Sequence, residues 1–174
     1  MSSLFKKALA FTLKFEGGYV DHEMDLGGAT NYGVTQSTYN EYTHKFGLPN
    51  RDVECIVMEE VEDIYYHYYW LPSKAGQMTP PLGFVHFDTA VMSGVFGATQ
   101  FLQEALGLEP DGIWGKQTDK EFKANNNVQT AVKYCDRRID YRHTRVEEDP
   151  SQVVFLDGWL ARDRKIKDII KRGY

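Results

Sequence analysis

Apolar residues recur at helical spacing along almost the whole chain, and one stretch, residues 19–36, breaks the rule. Leu4, Phe5, Ala8, Leu9, Thr12 and Phe15 share one helical face. That stripe predicts a first helix of about four turns, ended by Gly17 and Gly18, with Glu16 in its last turn. The segment YVDHEMDLGGATNYGVTQ then has no helical period. It is rich in Gly, Asp and Asn, with short extended pieces at Tyr19-Val20 and Tyr32–Thr35, and reads as a loop or small irregular β-hairpin. The helical period returns afterwards. Thr35 or Ser37 caps a helix through Phe46 that Gly47 closes. Val53, Ile56, Val57, Val61, Ile64, Tyr65 and Tyr68 stripe another that runs to about Trp70. Two helices follow, residues 82–94 and 98–106, ended by Gly94 and Gly107. Thr118 caps a short one, Val128 to Ile139 stripes the next, and Pro150-Ser151 open the last. The fold class is therefore mainly α, with one small hairpin near the N-terminus.

At 174 residues with 42% apolar content, such a chain buries a core without disulfide staples. Cys55 and Cys135 have no metal-binding spacing and read as two buried thiols, with one disulfide as the alternative. No apolar run reaches the length of a membrane span. The opening residues read as the first helix of the fold, without a signal-peptide cleavage site, so the product is expected to be made in the cytoplasm. The net charge of −5 disfavours nonspecific binding to nucleic acid. That charge is uneven: residues 1–94 carry 6 Lys/Arg against 12 Asp/Glu, and residues 95–174 carry 14 against 13. No nucleotide-binding glycine loop and no Ser or Cys nucleophile motif is present. His86 and Asp88 are two apart on a helix and do not face each other, so no metal and no cofactor is expected.

The chemistry-bearing pattern is Glu16 at a helix end, Asp25 in the polar loop and Thr30 beyond it. A carboxyl partly desolvated by Phe15 and its neighbours suits a general acid, because burial disfavours the charged form. A second carboxyl in a polar loop stays ionised, and two carboxyls in unlike surroundings divide acid and base roles in glycoside hydrolysis. Thr30 can position a water or bond the substrate. Tyr19 and Tyr32 flank this region, and their rings either line a sugar subsite or pack in the hairpin. Among the aromatics at the end of the third stripe, Trp70 is the candidate to line a cleft. Trp114, in the Gly-flanked DGIWG loop, either plugs that loop or touches polymer. Asp88 reads as a buried residue bonding the core or supporting the cleft.

Glu16-Gly17-Gly18-Tyr19, followed by Asp25, Gly27, Gly28, Thr30 and Gly33, resembles glycoside hydrolase family 108, the N-acetylmuramidases of phage endolysins and secretion-activator proteins. The segment FLQEALGLEPDGIWGKQT is similar to that family's C-terminal peptidoglycan-binding region. The resemblance implies a lysozyme-like helical fold, with a catalytic region over residues 1–94 and a helical peptidoglycan-binding region over 95–174 packed on it. It implies hydrolysis of the β-1,4 bond between N-acetylmuramic acid and N-acetylglucosamine, with Glu16 as proton donor, Asp25 as base or electrostatic partner and Thr30 assisting. It implies peptidoglycan strands as the partner of a monomer that does not insert stably in a membrane. Action in the periplasm or wall then follows release through a holin pore or another export route. Two other readings stay open: a non-catalytic wall-binding module, and a glycosidase acting on chitin or chitosan.

Overall fold

A computed structural model of the chain describes residues 1–20 and 28–173. Helix α1 spans Ser3–Thr12, with Ser2 capping it by accepting a bond from the Phe5 amide. Its buried face is Phe5, Ala8, Leu9, Phe11 and Thr12. The helix stops a turn earlier than its stripe predicts. The amides of Lys14 and Phe15 bond three residues back, to Phe11 and Thr12. Phe15 has left the helical face: its ring tilts on Phe11 and lies 4.9 Å from the Arg162 guanidinium. Glu16 therefore sits beyond the helix, in the bend that follows it.

The hairpin is short. Strands β1 (Thr30–Asn31) and β2 (Val34–Thr35) pair antiparallel, Thr30 with Thr35 and Asn31 with Val34. Val20 bridges to Thr30 on the outer side. Tyr32 and Gly33 form the two-residue turn, both with positive φ (50° and 75°), as a tight hairpin of this hand requires. Thr35 then caps α2 (Gln36–Phe46) through the Thr38 amide, and left-handed Gly47 closes it.

The next apolar stripe divides into three pieces. A 3-10 turn covers Val53–Cys55, α3 covers Met58–Tyr65, and a π-helical turn covers Tyr66–Trp70. In the π turn the Leu71 amide bonds five residues back, to Tyr66. Tyr66 and Trp70 both meet the Phe5 ring edge-on, at 5.2 and 5.3 Å.

Helix α4, Pro80–Leu106, is the spine. Its residues Leu82 to Ala90 are all buried, so it is covered on every side. Two helical segments were expected here, divided at Gly94, and the backbone agrees. Gly94 (φ 71°, ψ 167°) leaves the helical conformation and kinks the spine into two helical segments, and Gly107 supplies the left-handed cap of the second. Helices α5 (Lys116–Ala124), α6 (Val128–Glu148) and α7 (Val153–Lys171) follow. Asn127 caps α6, accepting from the Thr130 amide at 3.0 Å. One apolar core runs from Phe5 on α1 to Ile170 on α7, so residues 1–94 and 95–173 share it.

The loop between α4 and α5 is organised by the buried Gln103. Its amide nitrogen reaches Asp111 Oδ1 (2.6 Å), Thr118 Oγ1 (3.0 Å) and the Ile113 carbonyl (3.1 Å), and its oxygen accepts from the Gly112 amide at 2.8 Å. Thr118 thus lies buried inside α5 and is not its cap. Both cysteines are free. Cys135 is buried, but Cys55 is exposed, which corrects the expectation of two buried thiols; it is the last residue of a 3-10 turn whose buried member is Val53. Among the described residues no helix is long and apolar enough to cross a membrane.

Candidate active site

Glu16 is held between the two ends of the chain. Its side chain is 22% exposed, and its Oε1 lies 3.5 Å from Nη1 of Arg162, on α7. On the opposite side is the hairpin turn. A β-carbon placed on Gly33 would come 2.9 Å from Glu16 Oε2 and 2.5 Å from the Tyr65 hydroxyl. The final glycine of the Glu16–Gly33 pattern therefore has two physical reasons: positive φ and absence of space. Tyr65 Oη donates to the Tyr32 carbonyl at 2.9 Å, tying α3 to this turn. Burial, and then the charge of Glu16, hold the Tyr65 and Tyr69 phenols above their ordinary range, so both stay neutral donors.

Behind Arg162 lies a buried ladder of charges. Arg162 Nη2 and Nε meet the Asp88 carboxylate at 2.7 and 3.2 Å. Asp88 also accepts from the Thr12 hydroxyl (3.0 Å) and from Arg138 Nη1 (2.9 Å). Arg138 pairs onward with Asp163, which also takes Arg142. Burial pushes the Asp88 pKa up, but the Arg138 and Arg162 guanidiniums outweigh it and hold its carboxyl below the usual range. Of the two readings of Asp88, bonding the core or supporting the cleft, the first acquires a geometry: it joins α1, α4, α6 and α7 behind Glu16.

The other expected site residues are placed as follows. Asp25, with His22, Gly27 and the loop between them, lies outside the described residues. Thr30 Oγ1 donates to the Gly28 carbonyl at 3.2 Å, within its own loop. Tyr19 and Tyr32 are 43% and 37% exposed and border the same bend and hairpin, as does Phe15. Trp70 is a correction. It is 3% exposed, wedged edge-on against Phe5 and Phe87, and has no face left for a saccharide. The π turn that precedes the loop rotates it inward. Trp114 is partly exposed, with Phe122 against its ring and Lys74 Nζ 4.7 Å above it, while its indole nitrogen lies 3.4 Å from Asp119. A depression of about 270 Å³ between α4 and α6, lined by Phe96, Gln100, Phe101, Glu104 and Tyr141, shares no residue with the surroundings of Glu16. Among the described residues no three His, Cys, Asp or Glu side chains gather to hold a metal ion.

Arg162, Tyr65 and Tyr69 are the neighbours of Glu16 that sequence reading passed over. One signal was present. On α7, Arg162 falls in the register of Trp159 and Ile166, and on α6, Arg138 falls in that of Tyr134 and Ala131. A charge inside an apolar stripe is expensive to bury and therefore implies a buried partner.

The chain was compared with known proteins. Residues 9–94 match the family model described as Glycosyl hydrolase 108. The fold is similar to that of Brucella abortus SagA, with a TM-score of 0.75 and 26% identity over 97% of this chain and 94% of that one. No curated protein matches the chain. The family match and the structural similarity together support that family and a lysozyme-like helical fold. Through the matched segment the chain is a glycoside hydrolase.

Proposed function

With a glycosyl hydrolase 108 segment over residues 9–94 as its premise, we propose that this glycoside hydrolase is an N-acetylmuramidase with Glu16 as its general acid. The family match supports a peptidoglycan hydrolase of that type. The observation that carries the finer reading is the setting of Glu16. Its carboxyl is mostly withdrawn from water, fixed from two sides, and bordered by exposed rings of Phe15, Tyr19 and Tyr32. Protonated Glu16 gives its hydrogen to the glycosidic oxygen between N-acetylmuramic acid and N-acetylglucosamine. The departing sugar leaves with that proton, positive charge develops on the ring that remains, and water completes the hydrolysis. Asp25 acts as base or electrostatic partner, with Thr30 assisting. Tyr19 and Tyr32 stack on the apolar faces of sugar rings.

Residues 95–174 serve wall binding, with the partly exposed Trp114 as a contact to polymer. The protein works as a monomer on peptidoglycan strands, as a phage or prophage endolysin that reaches the wall by a holin pore or another export route. The test is mass spectrometry of products from purified peptidoglycan, wild type beside Glu16→Gln. The expected products carry reducing N-acetylmuramic acid ends, and they vanish in Glu16→Gln while its melting curve holds. Equal product from Glu16→Gln, or release from chitin and none from peptidoglycan, overturns the reading.

A further inference from the structure

The family-matched segment ends at residue 94, yet the side chain that meets the Glu16 carboxylate comes from residue 162. We propose that Arg162 is the positioning residue for Glu16, aimed by Asp88, so that the last helix is part of the working site. This rests on Glu16 being the proton donor.

A guanidinium is a rigid planar fork with five donors. Here the Nε and Nη2 edge lies on the Asp88 carboxylate, and the remaining corner, Nη1, points to Glu16 Oε1. The fork cannot turn. Asp88 is 1% exposed and anchored by Thr12 and Arg138, and the Phe15 ring lies against the Arg162 guanidinium. One side of the Glu16 carboxyl is thus set by an ion ladder through four helices, and the other by the Gly33 turn, which Tyr65 ties to α3. Proton donation needs the carboxyl fixed in direction as well as in charge state, and displacements near 1 Å lower rates by roughly 10²-fold. Lysine at 162 would keep a positive charge but could not span Asp88 and Glu16 together.

The experiment measures kcat and KM separately on soluble peptidoglycan fragments for wild type, Arg162→Ala, Arg162→Lys and Glu16→Gln, with melting temperatures alongside. Arg162→Ala is expected to lose roughly 10²-fold in kcat with KM nearly unchanged. Guanidinium ion at a sub-denaturing concentration should restore part of that kcat, and should do nothing for Glu16→Gln. Arg162→Lys, the variant that keeps the buried charge, should fold and still lose roughly tenfold in kcat, on the same positional argument. A folded Arg162→Ala or Arg162→Lys with wild-type kcat overturns the proposal. So does a loss that appears in KM alone, or one that tracks melting temperature and ignores guanidinium. If Arg162→Ala does not fold, Arg162→Lys decides. Absence of product from the wild type would instead fail the underlying reading of Glu16, and this proposal with it.

Discussion

Gly33 and Glu16 approach so closely that a methyl group on the glycine would lie 2.9 Å from the glutamate's Oε2. The contact links the hairpin turn to the carboxyl with no room for a side chain between them. Gly33→Ala should act twice. It forces an L residue to φ +75°, at a cost of about 1–2 kcal/mol, and it displaces both Glu16 and the Tyr65 hydroxyl. Thermal melts should show a fall of several degrees, and release of reducing sugar should fall further than the loss of folded protein explains.

Tyr65→Phe separates the two effects. It keeps the ring and the glycine but removes the bond to the Tyr32 carbonyl. The expected loss of stability is about 1 kcal/mol. A lower kcat with little change in melting temperature would show that the turn, once released, no longer fixes the carboxyl; an unchanged kcat would show that Gly33 packing suffices.

His86 gives the protein a pH dependence of known sign. It is wholly buried, with Nε2 donating to the Ser73 carbonyl and Nδ1 3.2 Å from Tyr134 Oη. Burial pushes its pKa down to about 4. An unfolded histidine binds its proton near pH 6.5, so between roughly pH 6.5 and 4 the unfolded state holds more protons than the native state. Stability is full above that window and falls as the pH drops through it. Melting temperature measured from pH 7 to 4 should decline, and His86→Gln, if it folds, should flatten the decline.

The cysteines should answer differently to a thiol reagent. Cys55 is exposed, whereas burial withdraws Cys135 from solvent and pushes its thiol up to about 12. Titration of the native protein should find one rapidly reacting thiol and the second only in denaturant. Modification of Cys55 should leave the melting curve nearly unchanged.

Much of this architecture is legible in the chain because local signals agree with tertiary ones. Thr35 and Gly47 mark α2 at both ends, because capping depends on single residues; a hairpin was expected as well, but with Tyr32–Thr35 extended, whereas Tyr32-Gly33 is its turn. What was misread depends on distant partners. Glu16 was placed in a helical last turn, but Phe15 is drawn off that helix by Arg162, which lies 147 positions later. Trp70 was set in a cleft because a run of aromatics on a regular helix must expose some of them. The π turn changes which ones, and Trp70 goes inward. In the site, Glu16 and the Gly33 turn were readable as a pattern. The ladder behind them was not, since Asp88, Arg138 and Asp163 acquire meaning only once α4, α6 and α7 touch.

Gln103 bears on how the segment FLQEALGLEPDGIWGKQT is understood. The polar partners of its amide lie in the connection between α4 and α5 and, through Thr118, in the first turn of α5, and Gly112 beside it leaves no room for a β-carbon against the Phe96 ring. Gln103, Asp111, Gly112 and Thr118 are thus accounted for by a knot that shapes its own loop. A chain sharing those letters shares a way of tying a bend, and its ligand has to be sought in the side chains the knot presents outward.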